Sequence, residues 1–344
     1  MAPTETILVI TGASGLVGSA VVIRALRDGY NTLLTVRNES QIPHLQEVFG
    51  HKDHVRFVVV PDLAKDGAFD GVVKDVDYVI HTASPLFKED VASEWRKNYI
   101  DPAVNFTLNI LNSTLKQPRI KKVVITSSII SFVPLDRSEL GDSQALGNPK
   151  IDKEEFYNQP FQSPIVAYHA SKIASDIETW DFQKRNNPHF NIVSIHPDFV
   201  YGGLPLVKSR EDFETNETTA AILWREYTGV NGVIRFQAKD HSVHVDDVAE
   251  AHVKVVHSKY KDERYIVSAG EFEWDALLEH AQTKYPGMGF KLSKIPDWKK
   301  ELSALYFTPD ASKASRELGI KWKDIYQQFD SLVESMKSLG AKGK

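Results

Sequence analysis

The amino-acid sequence predicts an α/β protein with a doubly wound parallel sheet and a smaller, mostly helical C-terminal lobe. Short apolar runs alternate with helical patterns through the first half of the chain, and a glycine-rich turn follows the first run. Strands of a parallel sheet are covered on both faces, so they read as continuous apolar runs separated by amphipathic helices. The later part of the chain lacks this alternation and is richer in loops, which predicts a second lobe.

The predicted elements follow one another in a regular order. The first strand, "ILVIT", leads into a helix from Leu16 to about Asp28, and "NTLLTV" precedes a helical stretch near Gln46. "VRFVVV" is followed by a short helix, and "DYVIHTA" by a long helix from about Val91 to Leu115. The strands "KKVVITSS" and "FNIVSIHP" lie on either side of the helix that contains "YHASK". Such short, β-branched runs are typical of buried strands.

The pattern also predicts where the two parts of the chain divide. Residues 1–198 form the first domain, which is completed by about 238–270, and residues 199–237 and 271–344 build the second lobe. In the returning segment, "VHVDDVAEAHVKVVHSKY" is predicted as a helix and "RYIVS" as a further strand.

The histidines and aspartates of that returning segment invite interpretation as a metal site. However, Asp246 and Asp247 precede the apolar spacing of Val248, Ala251 and Val255. This order is typical of an N-capped amphipathic helix, so we expect no metal.

Composition excludes several classes of function. The chain has 344 residues, 42% of them hydrophobic and 25% charged, as in globular proteins. A net charge of −5 provides no basic surface for nucleic acid or anionic membranes, and the absence of cysteines excludes disulfides and a cysteine nucleophile. Without a signal-like start or an apolar segment of about 20 residues, we expect a cytoplasmic protein that is not a membrane partner.

The glycine-rich turn, "VITGASGLVGSAVV", is predicted to bind a phosphate group. Gly12, Gly15 and Gly18 follow the first strand and lie on the turn into the first helix. Residues without Cβ let backbone N–H groups approach a pyrophosphate at the positive end of that helix. The predicted contacts of this turn are Gly12, Ser14, Gly15, Leu16, Val17 and Gly18.

The end of the second strand indicates which dinucleotide is bound. NAD-preferring sites carry an acidic residue about 20 positions past the glycines, which accepts hydrogen bonds from the ribose 2′-hydroxyl. This chain has Arg37 there, which cannot accept a hydrogen bond but pairs well with a 2′-phosphate. We therefore predict NADP(H), with Asp62 and Leu63 after the third strand beside the adenine.

Tyr168 and Lys172, in "YHASK", are four residues apart at the start of a predicted helix. About one helical turn separates them, so both side chains leave the same face. An ammonium group beside a phenol favours the phenolate, which would make the tyrosine a general acid. The spacing alone also fits an ordinary pair on a helix surface.

Together these motifs resemble the extended short-chain dehydrogenases/reductases, and within them the dihydroflavonol reductase-like family, which includes fungal and yeast aldehyde and ketone reductases. The resemblance covers nearly the whole chain. It is carried by the glycine turn and by "VRNES", "HTASP", "VVITSS", "YHASK", "HPDFVYG" and "VHVDDVAEAH", in that order. It implies a Rossmann-type fold whose first domain binds NADP.

The resemblance implies roles for three catalytic residues. Tyr168 would be the general acid, Lys172 would favour its ionised form and bind the nicotinamide ribose, and Ser128 would donate a hydrogen bond to the substrate oxygen. Hydride delivery to a carbonyl creates an alkoxide, which needs such a proton and such a donor. Ser127 is adjacent, but side chains alternate along a strand, so only one of the two faces the cofactor, and the family pattern favours Ser128.

The resemblance also implies further cofactor contacts, from Thr82, Ala83, Ser84, Pro197 and Val200. His81 and His196, at strand ends nearby, are interpreted as packed or hydrogen-bonded residues and not as catalytic bases. The chain departs from the family in having Ile129 and Ile130 after its serine pair, which would reshape the pocket. It also has Asp176 where glutamate is common, a change we expect to be neutral.

The leading functional hypothesis is an NADPH-dependent carbonyl reductase. The alternatives are a hydroxysteroid-type dehydrogenase or nucleotide-sugar epimerase/dehydratase on the same fold, and a non-enzymatic NADP-sensing protein. Apolar wall residues predict a small hydrophobic carbonyl substrate, and we expect a monomer or homodimer. The predicted walls, beside a flap containing "LDRSELGDSQALGNPK", are Phe87, Ile129, Phe132, Pro134, Ile165, Tyr201, Leu204 and Leu206.

Overall fold

The computed structural model describes most of the chain. The described residues are 6–9, 11–50, 53–85, 94–135, 156–157, 160–161, 163–216, 218–228, 239–257, 259–292 and 308–341. Within them the chain forms two β-sheets and ten α-helices. Contacts group it into two compact units, Met1–His196 with His252–Tyr265 and Pro197–Ala251 with Ile266–Lys344.

A seven-stranded sheet organises the first unit. Its strands are β1 (Thr6–Val9), β2 (Asn31–Val36), β3 (Val55–Val59), β4 (Tyr78–His81), β5 (Lys122–Thr126), β6 (Asn191–Pro197) and β9 (Glu263–Val267). Their order in space is β3-β2-β1-β4-β5-β6-β9. The ladders joining β1 through β6 are all parallel. This confirms the doubly wound fold, and it places a switch point between β1 and β4, where such sheets bind ligands.

Four helices connect these strands, namely α1 (Leu16–Arg27), α2 (Ile42–Phe49), α3 (Asp101–Leu115) and α4 (Pro164–Asn186). All four residues of β4 are buried, as expected for a strand covered on both faces. Helices α3 and α4 are joined by a hydrogen bond of 2.9 Å between Thr107 Oγ1 and Ser175 Oγ. Pro164 opens α4 at a position where a missing N–H costs nothing, and Asn187 ends it with a φ of 40°.

The second unit contains a three-stranded sheet with the order β10-β8-β7. Its strands are β7 (Phe199–Tyr201), β8 (Lys239–His244) and β10 (Glu271–Glu273), with β7 parallel and β10 antiparallel to β8. The helices that begin in this unit are α5 (Arg210–Thr215), α6 (Thr219–Thr228), α7 (Val245–Lys254), α8 (Trp274–Lys284), α9 (Ser312–Leu318) and α10 (Ile325–Ala341). An aromatic cluster packs inside it, with Trp224 at 5.6 Å from both Phe213 and Phe290 between ring centroids.

Two predicted elements were wrong, and one sheet was not predicted. The short helix expected after β3 is a series of turns between Val60 and Val76, although Phe69 and Val73 are fully buried there. The helix predicted over "VHVDDVAEAHVKVVHSKY" begins only at Val245, because the preceding residues pair in β8. The strands of the second unit were missed; β7 and β10 have three residues each, which is too few for a periodic pattern to be recognised.

The long helix predicted from about Val91 begins as an α-helix only at Asp101. A π-helical turn at Arg96–Ile100 precedes α3, and Val91 itself lies outside the described residues. The predicted flap also lies outside them, apart from Leu135. Residues 239–251 and 266–270, assigned from sequence to the first domain, group with the second unit.

Candidate active site

The glycine turn lies at the switch point of the sheet. A 3₁₀ turn, Thr11–Ser14, follows β1, and Gly15 caps the N-terminus of α1 in an extended conformation. The Gly15 N–H donates to the Gly12 carbonyl at 2.8 Å. Ser14 and Gly15 are exposed, so the first turn of the helix is open to a ligand.

Close packing explains why two of these positions are glycine. A Cβ on Gly18 would lie 1.6 Å from the Gly12 carbonyl oxygen. A Cβ on Gly12 would lie 1.7 Å from Thr82 Oγ1, in the segment after β4. The turn is thus pressed against both α1 and the end of β4, leaving a backbone cradle of the kind that accepts a pyrophosphate.

The segment after β4 carries buried polar groups beside this cradle. Among the described residues, Thr82 Oγ1 and both ring nitrogens of His81 are buried without a hydrogen-bond partner. Buried polar atoms normally have partners, so these atoms fit a site that receives a polar ligand. Burial, together with the Lys172 ammonium, lowers the pKa of His81 to about 3, so its imidazole is neutral. The turn and this segment therefore fit a dinucleotide.

The predicted specificity residues lie at the ends of the next strands. Arg37 follows β2 and is exposed, and its backbone N–H donates to Gln41 Oε1 at 2.9 Å. Asp62 is exposed after β3 and accepts a hydrogen bond of 2.8 Å from the backbone of Ala64. Leu63 is buried in the core, and its carbonyl accepts a hydrogen bond of 3.0 Å from Asn109 Nδ2.

Tyr168 and Lys172 share one face of α4, as their spacing predicts. Lys172 Nζ lies 5.4 Å from the centre of the Tyr168 ring and donates a hydrogen bond of 2.8 Å to Ser84 Oγ. Lys172 is only 7% exposed, whereas Tyr168 is half-buried. Ser84 thus holds the ammonium group beside the phenol, a link that sequence could not reveal because the partners are 88 residues apart.

Ser128 follows β5 and caps a 3₁₀ turn, Ile129–Phe132. Its hydroxyl accepts a hydrogen bond of 3.4 Å from the Ile130 N–H, and the residue is half-buried. Ser127 is held by its backbone, which donates to the Ile195 carbonyl on β6 at 2.8 Å. The C-terminal ends of β4 and β5 are neighbours in the sheet, which brings the Ser128 turn and the Thr82–Ser84 segment to the same edge.

The remaining predicted residues are distributed over both units. Ile129 and Phe132 are buried in the first unit and Ile165 is 50% exposed on α4, while Phe87 lies outside the described residues. Pro197 ends β6 and Val200 lies in β7, both buried. In the second unit Tyr201 and Leu204 are buried and Leu206 is half-buried.

The histidine and aspartate side chains of the returning segment contact different partners and do not converge on one point. In the second unit, buried His241 contacts the carboxylate of Asp198, and Asp198 accepts a hydrogen bond of 2.6 Å from Ser268 Oγ. Asp247 accepts a hydrogen bond of 2.7 Å from the backbone of Lys323. Across the described ranges, no group of three metal-ligating side chains comes together.

The partners of three polar residues in the first unit could not be recognised from the sequence. His169 and Arg264 had no assigned role, and Asp176 was noted only as a replacement of glutamate that we expect to be neutral. Arg264 donates two hydrogen bonds to Asp176 Oδ2, from Nη2 at 3.0 Å and from Nε at 3.1 Å, and its guanidinium lies 4.3 Å from the centre of the Trp180 ring. Residues 88 positions apart offer no local signal for this pair.

A glycine turn at the switch point of a doubly wound sheet, with a tyrosine and lysine one helical turn apart, defines a dinucleotide-dependent oxidoreductase. Known proteins that are similar to this chain belong to the same class. The chain belongs to the NAD dependent epimerase/dehydratase family, whose model matches residues 8–268. It is an NAD(P)-dependent oxidoreductase of the extended short-chain dehydrogenase/reductase type.

Individual relatives extend over nearly the whole chain. A ketoreductase of Aspergillus fumigatus is 34% identical over 334 residues, covering 94% of this chain and 96% of the relative. A tetraketide alpha-pyrone reductase of Arabidopsis thaliana is 30% identical, with 96% and 95% covered. The structure of Gre2 from Candida albicans in complex with NADPH is 26% identical, with a TM-score of 0.79, and the match covers 97% of this chain and 99% of that one. In the part of the chain that the structure describes, no helix is long and apolar enough to cross a membrane.

Proposed function

We propose that this protein is an NADPH-dependent carbonyl reductase that converts a hydrophobic ketone or aldehyde to the alcohol. The observation that carries the proposal is the placement of Lys172 beside Tyr168, held by Ser84 next to the glycine cradle. The similarity to the ketoreductase and to the tetraketide alpha-pyrone reductase supports a carbonyl substrate. We assign cofactor binding to the first domain and a share of substrate recognition to the second lobe.

Each catalytic side chain has a distinct task in this proposal. NADPH, when bound, supplies the hydride. The Tyr168 hydroxyl gives its proton to the substrate oxygen, and the Ser128 hydroxyl donates a hydrogen bond to the same oxygen. The Lys172 ammonium stabilises the phenolate that remains on Tyr168, because opposite charges attract strongly where little water is present.

The test is an assay with a panel of ketones and aldehydes, in which NADPH oxidation is followed by absorbance. We expect turnover with at least one neutral carbonyl compound and a large loss of kcat in Ser128→Ala. Turnover of a nucleotide sugar, without net oxidation of NADPH, would instead support an epimerase. NADPH binding without turnover of any substrate class would support a sensor.

Arg37 is proposed to select NADPH. Its exposed position after β2, on the strand next to β1, is where the 2′-phosphate of a dinucleotide on the glycine turn would lie. Arg37→Ala should weaken NADPH binding by about 1.5–3 kcal/mol, the typical contribution of a charged hydrogen bond, and leave NADH binding almost unchanged. Titration of both cofactors measures this difference.

The control for Arg37→Ala is Arg56→Ala, which removes another exposed arginine from the neighbouring strand β3. This variant should bind both cofactors like the unmodified protein. Equal losses of NADPH and NADH affinity in Arg37→Ala would place Arg37 away from the 2′-phosphate.

The proposed substrate preference follows from the residues beside Ser128 and from the predicted wall residues. Ile129 and Phe132, in the turn after Ser128, are apolar and buried. The wall residues predicted from the sequence include no lysine or arginine that would hold a carboxylate. Each CH₂ group removed from water contributes about 0.8 kcal/mol. We therefore expect kcat/KM to be at least about tenfold higher for an aryl ketone than for pyruvate, measured with the same NADPH concentration.

Pyruvate tests charge as well as size, so a neutral ketone of similar size, such as butanone, is the matched control. Butanone should fall between the other two substrates. If pyruvate has the highest kcat/KM, the proposed apolar pocket is wrong, although the reductase assignment would stand.

A further inference from the structure

The 3₁₀ turn that follows Ser128 is held by side chains from two other elements. The turn has two backbone hydrogen bonds of its own, from the Ser131 N–H to the Ser128 carbonyl and from the Val133 N–H to the Ile130 carbonyl, both at 3.1 Å. A 3₁₀ turn has weaker hydrogen-bond geometry than an α-helix, so side chains that bind its carbonyl groups help to hold it. Those of Ser128, Ile130 and Val133 all accept hydrogen bonds from side chains outside the turn. Two buried histidines, His169 and His196, supply them.

His196 on β6 contacts the backbone of Ser128 itself. Its Nδ1 lies 3.1 Å from the Ser128 carbonyl oxygen and 3.0 Å from Ser131 Oγ. A carbonyl oxygen can only accept, so Nδ1 must carry the proton. Nε2 then accepts a hydrogen bond from Ser194 Oγ at 2.8 Å, which stabilises the same tautomer.

Arg264 and Asp176 set the electrostatic surroundings of this ring. Asp176 Oδ1 lies 3.6 Å from His196 Nε2, beyond hydrogen-bond distance. An unpaired carboxylate there would favour a proton on Nε2, but Arg264 offsets the charge of Asp176 through two hydrogen bonds to Oδ2, and Oδ1 accepts a hydrogen bond of 3.2 Å from Trp180 Nε1. Burial lowers the pKa of His196 to about 4, so the ring stays neutral, with Nδ1 as its only donor.

His169 contacts the same turn from α4. Its Nε2 lies 2.7 Å from the Ile130 carbonyl oxygen and 2.8 Å from the Val133 carbonyl oxygen. Both partners can only accept, so this ring must donate from Nε2. Because His169 follows Tyr168 in the chain, these bonds connect the helix that presents the tyrosine to the turn that presents Ser128.

We propose that His169 and His196 are positioning residues. They hold the Ser128 and Tyr168 hydroxyls at the relative position in which both can bind the substrate oxygen. The inference rests on the proposed function, which gives both residues a bond to that oxygen. Neither histidine is proposed to transfer a proton. Since a displacement of about 1 Å can cost 10²-fold in rate, loss of either tether should reduce kcat far more than cofactor affinity.

The two histidines donate from different ring nitrogens, which allows a reciprocal test with amides. The amide nitrogen of asparagine is placed like Nδ1, and that of glutamine like Nε2. His196→Asn should therefore keep kcat within about threefold, whereas His196→Gln and His196→Leu should lower it by about 10–100-fold. At position 169 the order reverses, with His169→Gln active and His169→Asn and His169→Leu impaired. NADPH affinity, measured by fluorescence titration, should change less than about threefold in all six variants.

A merely structural role predicts a different result. If the rings only fill space, leucine would serve as well as either amide and kcat would not follow the donor position, which would overturn the proposal. Thr179→Val is the control, because it removes a buried hydrogen bond within α4 that does not involve the turn. Its kcat should equal that of the unmodified protein.

Should the histidine variants not fold, Ser131→Ala provides a smaller perturbation. Ser131 Oγ donates to the Ser128 carbonyl at 2.8 Å and contacts His196 Nδ1, so its loss should lower kcat about threefold to tenfold at unchanged NADPH affinity. An unchanged kcat in Ser131→Ala would overturn the proposal for His196.

Ser128→Ala distinguishes this inference from the proposed function. If Ser128→Ala loses activity while the histidine variants and Ser131→Ala do not, only the positioning role is wrong. If Ser128→Ala is fully active, the catalytic assignment itself fails. In the Ser128→Ala background, His196→Leu should cause no further loss of kcat, because residues that act through one group are not additive. A further tenfold loss there would contradict the proposed route through Ser128.

Discussion

Tyr168→Phe is expected to lower kcat by about 10²–10⁴-fold while leaving NADPH affinity nearly unchanged. The substitution removes the hydroxyl proposed to protonate the substrate oxygen and keeps the ring that lies 5.4 Å from Lys172 Nζ. Steady-state kinetics with the best substrate of the carbonyl panel, combined with NADPH titration, separates the two effects. Lys172→Ala should instead impair both kcat and NADPH binding, because Lys172 is assigned to both tasks.

Tyr157→Phe is the matched control for the proton donor. The Tyr157 hydroxyl donates to Glu178 Oε1 at 3.0 Å and has no proposed part in the reaction. This variant should keep the kcat of the unmodified protein. Activity in Tyr168→Phe within about threefold of the unmodified protein would show that another group protonates the substrate.

The second large effect is expected from Gly18→Ala. The new Cβ would lie 1.6 Å from the Gly12 carbonyl oxygen, 2.1 Å from its carbon and 2.6 Å from the Ala13 nitrogen. All three are backbone atoms, so no side-chain rotation relieves the overlap and the phosphate turn must shift. We expect NADPH affinity to fall more than about tenfold and the free energy of unfolding to fall by about 1–3 kcal/mol.

Gly71→Ala separates this steric effect from the general effect of replacing glycine. A Cβ at Gly71 meets no atom within 4 Å, so this variant should match the unmodified protein in NADPH titration and thermal unfolding. If Gly18→Ala binds NADPH as tightly as Gly71→Ala, the turn does not form the pyrophosphate site.

Much of the first unit could be predicted because its signals are local. Continuous apolar runs identified β1 to β6, and the parallel pairing of these strands confirmed the fold class. Helical spacing placed Tyr168 and Lys172 on one face of α4, where the structure has them. The second unit was predicted less well, because its strands are as short as three residues and their pairing is not visible in local periodicity.

Hydrogen-bonded partners from distant parts of the chain could not be predicted. The sequence motif drew attention to Tyr168 and Lys172 but assigned nothing to His169 between them. It gave no partner to Asp176, which the structure pairs with Arg264. The contacts of His169 and Asp176 are made with residues of other helices, strands and turns. The spacing of residues within one helix does not predict such contacts.

The sequence by itself determined the dinucleotide fold, the glycine turn and the tyrosine–lysine pair, since each depends on residues within a few positions of one another. Only the tertiary structure decided how these groups are held. Ser84 reaches Lys172 across 88 residues, and His196 reaches the Ser128 backbone across 68. The physical reason is that a parallel sheet brings the C-terminal ends of strands distant in sequence to one edge. There, buried polar groups must find partners in space, wherever those partners lie in the chain.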